Sequence, residues 1–338
     1  MTQTNSADIE AARLLLARLG VSVTDLLATA APPTAVPTFA EYVPIVSAAV
    51  GAGTRRVYSS YWNRLVEHWG ARRLDEPTPT EIRQLTETLK TALIVRRNAR
   101  GGRSATEHFI AALRCVYTNA ENDGLINPGS NPALKVAKPR RLTSTRQAIP
   151  DAQLAEINRI AAMTGNDPAL DTLILRLHTE TACRRGGALA LTPNDLDATQ
   201  CLIRLSEKGE TVRWQPVSPT LMSHLLHHAE SRSTPPNGQL LRYANGRPIT
   251  KRRYDHLWDR IGRHLPWVAT QQISTHWLRH TTLTWVERNY GYATARAFAG
   301  HTDAPAASTT ATYVKATLPE IAQALSTLTG EPHPLANS

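Results

Sequence analysis

The chain has 338 residues, enough for two domains, and its 38 Lys and Arg against 28 Asp and Glu leave a net charge of +10. Such an excess attracts polyanions, and no apolar run approaches the ~20 residues that span a bilayer, so composition favours nucleic acid over a membrane. Cys115, Cys183 and Cys201 are widely separated and form no CxxC pair, which argues against a disulfide framework or a zinc knuckle. The N-terminus carries no basic n-region, so we expect no secretory signal.

The first 37 residues predict a helix and a linker. Residues 7–20 place apolar side chains at helical spacing, which predicts one amphipathic helix. These side chains include Ile9, Leu14, Leu15 and Leu19. A proline-rich stretch from Pro32 to Pro37 then interrupts the pattern. We therefore expect residues 1–37 to be an appendage.

Residues 38–134 predict a helical domain. Between residues 54 and 69, large apolar side chains recur every three or four positions and predict one buried stripe. They are Tyr58, Tyr61, Trp62, Leu65, Val66 and Trp69. Further helices are predicted from Pro79 and from Arg103 to near Gly124.

Two stretches are basic and contain no acidic residue. Residues 96–103 form one, and residues 135–147 form the other, which we expect to be a linker between domains. A solvated surface is the ordinary interpretation of such runs; contact with phosphates is the alternative, which the overall charge favours. The residues expected to make these contacts are Arg96, Arg97, Arg100, Arg103, Lys135, Lys138, Arg140 and Arg141.

Residues 148–318 predict a second, mostly helical domain with one β element. The segment LIRLSEKGETVRWQPV alternates apolar and polar residues on both sides of Lys208-Gly209, which predicts a hairpin with glycine in its turn. Helices are predicted near residues 219–230, 250–264, 275–289 and 292–300, and a weaker one near 307–318. The tail, residues 319–338, is amphipathic, and we expect it to be disordered from Glu331.

Several segments of this second domain carry cationic side chains. In TACRRGGALAL, Gly186 and Gly187 suit a sharp junction after a helix, from which Arg184 can point into a cleft. An exposed arginine is the ordinary alternative there. Lys208 lies in the hairpin turn, where a lysine is usually solvated.

The segment STHWLRHTTLTW predicts a helix that Ser274 or Thr275 can cap. His276 and Arg279 then lie on one face, at positions i and i+3. His276 and His280 also have the spacing of zinc ligands. However, no glutamate follows the first histidine, no third ligand is close by, and Arg279 would repel a dication. We expect Trp277 to be a core residue and His280 to be packed or hydrogen bonded.

Two further segments end the series. AGHTD places His301 directly after a helix, and STTATY leads to Tyr313. Tyr290 and Tyr292 are alternative tyrosines, but they flank Gly291 and precede His301 in the chain. Together the cationic groups and a phenol suit a phosphodiester substrate, because guanidinium and imidazole groups hold phosphate oxygens and a tyrosine can attack.

In order and context, these segments resemble the five boxes of the tyrosine recombinases, also called phage integrases. The resemblance covers about residues 38–318. It implies a mainly α fold with a small β-hairpin or sheet in a tyrosine recombinase catalytic domain, preceded by a helical core-binding domain. The two domains would form a C-shaped clamp on DNA. It also implies a cytoplasmic, nucleoid-associated enzyme whose partners are double-stranded DNA with specific sites and, in the synapse, a homotetramer; accessory proteins stay open.

The resemblance implies a role for each catalytic group and no metal or cofactor. Tyr313 attacks the phosphorus and forms a 3′-phosphotyrosine, while Arg184 and Arg279 stabilise the charge at the transition state. Lys208 is the general acid for the leaving 5′-oxygen, His276 accepts the tyrosine proton, and His301 donates a hydrogen bond to the phosphate.

Two departures from the family pattern stand out. Many members carry an acidic residue three positions after the first arginine, where this chain has Gly187, so backbone carbonyls are expected to orient Arg184 instead. The TDAPAAS segment also lengthens the interval between His301 and Tyr313.

The alternative functions are a type IB topoisomerase-like enzyme, a catalytically silent DNA-binding regulator of the same fold, and a metal-dependent nuclease or transposase. The last would require a grouped set of acidic residues, which this sequence lacks. The tail is expected to pack on a neighbouring protomer, or otherwise on its own domain.

Overall fold

The structure is a computed structural model that describes residues 6–20, 36–91, 103–140, 146–207, 211–301 and 316–336. The chain divides into two compact units, Met1–Thr143 and Ser144–Ser338, each with its own hydrophobic core. Within the described residues, every helix is too short or too polar to cross a membrane.

The first unit is helical, as predicted. Its helices are α1 (Ser6–Arg18), α2 (Phe39–Ala49), α3 (Ala52–Trp69), α4 (Pro79–Thr91) and α5 (Arg103–Asn122). Local sequence sets where two of them begin. Thr38 caps α2 in a reciprocal pair with Glu41, whose carboxylate accepts the Thr38 N–H at 2.8 Å. Thr78 and Glu81 form the same arrangement at the start of α4.

Aromatic side chains build the core of the first unit. Trp62 is buried and donates its indole N–H to the carbonyl of Ala112 at 3.0 Å, and buried Tyr117 donates its hydroxyl to the carbonyl of Leu74 at 2.9 Å. These bonds satisfy the polar atoms that burial would otherwise leave unpaired. Of the predicted stripe on α3, three members are buried and the other three pack partly exposed at its edge.

Helix α1 forms where the sequence predicts it, but its apolar side chains are exposed. The exposed fraction is 69% for Leu14 and 66% for Leu19. At the other end of this unit, Arg114 donates to the carbonyls of Ala133 and Val136, and Val136 is buried in the core.

The second unit is mostly helical with a small antiparallel sheet, as predicted. Its elements are α6 (Asp151–Met163), α7 (Pro168–Thr181), α8 (Arg185–Ala190), β1 (Leu196–Asp197), β2 (Leu202–Ser206), β3 (Val212–Pro216), α9 (Pro219–Ser231), α10 (Lys251–His264), α11 (Pro266–Gln271), α12 (Thr275–Phe298) and α13 (Leu318–Thr329). The sheet order is β1-β2-β3, and Ile203 pairs with Gln215 across the predicted hairpin. Gly291 interrupts α12 with a φ of 82°.

Helix α7 lies at the centre of the second unit. Its buried carboxylate, Asp171, binds the guanidinium groups of Arg253, at 2.7 Å, and of Arg260. A buried charge of this kind is tolerated only when it is fully paired. The pairs therefore tie α10 to α7.

Two expectations for the tail are corrected. Helix α13 packs on its own unit, where Ile321 and Leu325 share a buried cluster with Val286 and Phe298. Residues after Glu331 are described to 336, and one of them is held by burial: His333 is 2% exposed, and its Nε2 lies 3.1 Å from the carbonyl oxygen of Cys201. The interpretation that the tail packs on its own domain is the one that this geometry favours.

Candidate active site

Arg184 lies at the junction between α7 and α8. Ala182 ends α7 in a left-handed conformation, with a φ of 49°, which turns the chain sharply. Arg184 is then the N-cap of α8, and its carbonyl accepts the N–H of Ala188 at 3.1 Å. The predicted junction is confirmed, but Ala182 makes the turn, whereas Gly186 and Gly187 lie inside α8.

A carboxylate that the sequence patterns did not indicate holds Arg184 in place. Glu207 follows the end of β2, and its side chain is fully buried. Its two oxygens accept the backbone N–H of Arg184 at 2.6 Å and the Nη1 of Arg184 at 2.8 Å. The expectation that backbone carbonyls orient Arg184 is therefore wrong. The signal in the sequence was an acidic residue directly before the hairpin lysine, in a chain with glycine at position 187.

Arg279 is the arginine that backbone carbonyls do hold. It lies on α12 and is buried, and its guanidinium donates to the carbonyl of Ala182 and, at 2.8 Å, to the carbonyl of Ala299. Ala182 lies two residues before Arg184, and Ala299 lies two residues before His301. The guanidinium of Arg279 thus joins the chain segment that carries Arg184 to the segment that carries His301.

His301 and His276 lie on either side of Arg279 in the chain. Nε2 of His301 lies 3.5 Å from Nη2 of Arg279, and Gly300, with a φ of 62°, turns the chain just before it. His276 is partly exposed and lies one helical turn before Arg279 on α12. The structure therefore brings Arg184, Arg279 and His301 together, with His276 on the same helix face as Arg279.

The site is electropositive, and its titration reflects this. Partial burial and then the neighbouring Arg279 lower the pKa of His301, and partial burial followed by Arg146 lowers the pKa of His276. Both imidazoles are therefore neutral at pH 7. Burial and the charge of Arg184 lower the pKa of Arg279 to about 10, so this guanidinium stays protonated.

Two predicted catalytic residues, Lys208 and Tyr313, lie outside the described residues. So do Arg96, Arg97, Arg100 and Arg141 of the basic stretches, together with the side chain of Arg103. The other three predicted phosphate contacts are exposed in the first unit: Lys135, Lys138 and Arg140.

The neighbours of the histidine–arginine segment behave as predicted, with one exception. Trp277 is buried in the core of the second unit. His280 is hydrogen bonded at both ring nitrogens, to the Thr284 hydroxyl at 2.9 Å and to the carbonyl of Arg146 at 3.1 Å. The exception is the predicted cap, because Ser274 makes no side-chain cap bond and the Thr275 hydroxyl accepts the indole N–H of Trp258 at 2.9 Å.

The alternative tyrosines are placed by Gly291. Tyr290 donates toward the backbone of Gln323 and bonds the hydroxyl of Thr327, so it faces α13. Tyr292 is 65% exposed, and its ring lies beneath the guanidinium of Arg296. The contacts of Tyr290 with α13 and of Tyr292 with Arg296 give both tyrosines a structural role.

A comparison with known families identifies the second unit. The model of the phage integrase family matches residues 149–318, which is half of the chain. The chain belongs to the phage integrase family. The match includes all six residues of the predicted catalytic set.

Two solved integrase structures share the fold. A lambda integrase tetramer bound to a Holliday junction matches with a TM-score of 0.61 at 13% identity, covering 91% of both chains. The Tn1549 transposon integrase in complex with circular intermediate DNA matches with a TM-score of 0.62 at 16% identity, over 83% of this chain and 96% of that one.

A relative of known sequence is the tyrosine recombinase XerC of Mesorhizobium japonicum. It is 27% identical over 206 residues, which cover 58% of this chain. The match spans 64% of the length of that relative.

Proposed function

We propose that this protein is a site-specific DNA recombinase that cleaves and rejoins strands through a covalent 3′-phosphotyrosine. One observation carries the proposal: Arg279 bonds the carbonyls of Ala182 and Ala299 and so fixes the segments bearing Arg184 and His301 around one point. Three groups that are far apart in sequence thereby converge as phosphate ligands. The family membership supports the same chemistry.

Each group has a role that its environment suits. The guanidinium of Arg279 remains charged, and with Arg184 it holds the non-bridging oxygens and stabilises the pentavalent transition state. His301, neutral at pH 7, keeps its second ring nitrogen to donate to the phosphate. His276 is also neutral, so it can accept the proton of the attacking Tyr313. Lys208 delivers a proton to the leaving 5′-oxygen.

The energetics of this scheme require no cofactor. The phosphotyrosine bond conserves the free energy of the phosphodiester. The 5′-hydroxyl of another strand can therefore attack the phosphotyrosine, rejoin the DNA and release the tyrosine. The fixed guanidinium groups supply the charge stabilisation that a metal ion supplies in other phosphoryl transfer enzymes. We therefore expect strand cleavage to proceed in EDTA.

The partner in this proposal is double-stranded DNA carrying a recombination site, and the working assembly is a homotetramer on two duplexes. The net charge of +10 supports binding to a polyanion. The exposed side chains of Lys135, Lys138 and Arg140 are suited to phosphate contacts. The sequence of the acid-free stretch 96–103 suits it to the same role. The tetramer bound to a Holliday junction, among the similar structures, supports this assembly. We place the activity in the cytoplasm, on nucleoid DNA.

A selection for covalent adducts tests the proposal and identifies the DNA site in the same experiment. Wild-type protein is incubated in EDTA with duplexes that carry a randomised core and staggered nicks, so that cleavage releases a short fragment and traps the enzyme. We expect adducts that resist detergent, enriched in one sequence. Tyr313→Phe should form none, and Tyr292→Phe, which removes an exposed phenol, should match the wild type. Adducts formed by Tyr313→Phe, or none by the wild type, would contradict the proposal.

The same material separates the alternatives. A topoisomerase-like enzyme would relax supercoiled plasmid that lacks the enriched sequence, whereas a recombinase acts on plasmids that carry it. A silent regulator would bind the enriched DNA without forming adducts. A metal-dependent nuclease would be inactive in EDTA.

A further inference from the structure

Glu207 is a buried acid at the centre of a cationic site. Its side chain has no exposed surface, and it faces the guanidinium groups of Arg184 and Arg213. Its charge also acts on Arg279 and His301, whose pKa values it raises against the lowering effect of burial. A carboxylate in such a place must have a partner strong enough to offset its desolvation.

Of these two guanidinium groups, Arg184 makes the hydrogen bonds to the carboxylate, and Arg213 is a more distant ionic neighbour. Both oxygens of Glu207 bond Arg184, at 2.6 and 2.8 Å, whereas Nε of Arg213 is 3.7 Å away. Among the described residues, that Nε has no hydrogen-bond partner. Arg213 is held elsewhere, by the side chain of Gln215 and, at 3.4 Å, by the carbonyl of Thr181. The carboxylate is therefore aligned for Arg184.

The bond from the backbone of Arg184 is that of a helix cap. Arg184 is the N-cap of α8, so position 187 is the third helical residue. In a capping box the side chain of that third residue accepts the N-cap N–H. Glycine at 187 cannot do so, and Glu207 makes this bond from another element.

The space beside Gly187 is already filled by Glu207. A Cβ atom at position 187 would lie 3.1 Å from Cγ of Glu207 and 3.3 Å from its Oε1. A longer side chain there would compete directly with the carboxylate. Glycine at 187 and glutamate at 207 are thus reciprocal: one position leaves the room that the other uses.

We propose that Glu207 is the positioning residue of this active site, supplying from the end of β2 the carboxylate that orients Arg184 toward the scissile phosphate. The inference rests on the proposed function for its substrate. Glu207 binds both the backbone and one end of the guanidinium, which leaves the other N–H groups of Arg184 to meet the phosphate. Because Lys208 is the next residue in the chain, the same anchor joins the first arginine segment to the hairpin that carries the general acid.

A carboxylate exchange tests this role. Glu207→Gln keeps the shape of the side chain and removes its charge. Misplacement of a phosphate ligand by ~1 Å lowers a reaction rate on the order of 100-fold. We therefore expect the single-turnover cleavage rate to fall by about that factor, with little change in Kd for DNA. The cleavage rate of Glu207→Gly should be lower still. The double variant Gly187→Glu/Glu207→Gly returns a carboxylate to the capping position. Its cleavage rate should be roughly 10-fold or more above that of Glu207→Gly, which recovers part of the lost rate. Gly187→Glu alone crowds two carboxylates together and should be slower than the wild type.

A readout independent of catalysis keeps this test separate from that of the proposed function. In NMR relaxation of the free protein, the Arg184 Nε–Hε group should be rigid in the wild type and in the double variant, and mobile in Glu207→Gln. Thermal unfolding identifies any variant that fails to fold. An Arg184 group equally rigid in folded Glu207→Gln, or a double variant no faster than Glu207→Gly, would overturn the inference. If Arg184 is mobilised but the wild type forms no DNA adduct, the positioning role stands and the proposed function fails.

Discussion

Nη2 of Arg279 lies 3.5 Å from Nε2 of His301. Because a guanidinium can only donate, this contact favours the tautomer with Nε2 unprotonated and the imidazole proton on Nδ1. The lowered pKa of His301 agrees with a neutral ring. Arg279 therefore favours one tautomer of the histidine, besides bonding the backbone carbonyls of Ala182 and Ala299.

The charge of Arg184 is one cause of the low pKa of His301, so removing it should raise that pKa. We expect Arg184→Gln to move the value back toward the ordinary 6.5, and to extend the protonated form of the ring to higher pH. NMR titration of the ring protons measures the shift. Arg185→Gln is the control, because Arg185 faces Asp255 and the ring of Tyr254. An unchanged or lower pKa in Arg184→Gln would contradict this electrostatic account.

Arg279→Lys should abolish strand cleavage although it conserves the charge. A lysine ammonium cannot bond the carbonyls of Ala182 and Ala299 and also hold a phosphate in a planar fork. We expect a loss of about 10³-fold or more, comparable to the removal of a transition-state donor. Single-turnover cleavage of the selected DNA measures it. Arg288→Lys, on the exposed surface of the same helix, should retain wild-type rates; cleavage by Arg279→Lys within a few-fold of wild type would show that the bidentate geometry is unimportant.

Asp171→Ala should strongly destabilise the second unit. The substitution leaves the buried guanidinium of Arg253 without its carboxylate, and breaking one side of a buried ion pair costs about 3–5 kcal/mol. Urea unfolding monitored by tryptophan fluorescence measures the change. Asp255→Ala removes an exposed carboxylate 3.6 Å from Arg185 and should cost less than ~1 kcal/mol. Equal losses in the two variants would contradict the assigned burial.

Acid should destabilise the fold through His228. This side chain is buried, its Nε2 accepts the backbone N–H of Arg242 at 3.2 Å, and burial lowers its pKa to about 4. Between pH 6.5 and 4 the unfolded chain takes up a proton that the folded chain refuses, so stability falls as pH falls, by on the order of 3 kcal/mol for this group. His228→Gln removes the titration and should lose correspondingly less free energy of unfolding over that range. Identical pH profiles for the two proteins would contradict this prediction.

Local patterns in the sequence predicted most elements and several site residues. The helix spacing, the Lys208-Gly209 hairpin and the one-turn separation of His276 and Arg279 depend on neighbouring residues, and the corresponding described elements form where expected. Glu207 was missed because its role depends on a contact between segments more than twenty positions apart, which no local period reports. The burial of His333 was missed for the same reason, and the packing of α13 on its own unit was predicted only as the alternative to packing on a neighbouring protomer. In the sequence, glycine at 187 indicates only that an acidic side chain is absent. The packing in the structure shows that the missing side chain leaves room for Glu207.

Mapping the residue that becomes joined to DNA tests the central claim most directly. After nuclease digestion of the trapped adduct, trypsin separates the candidate tyrosines, because cleavage after Arg288 and Arg296 releases Tyr290 and Tyr292 in one peptide and leaves Tyr313 in the next, residues 297–315. Tandem mass spectrometry should place a nucleotide-bearing phosphate on Tyr313, and the released strand should carry a 5′-hydroxyl. Modification of Tyr290 or Tyr292, or a strand released with a 5′-phosphate, would contradict the account.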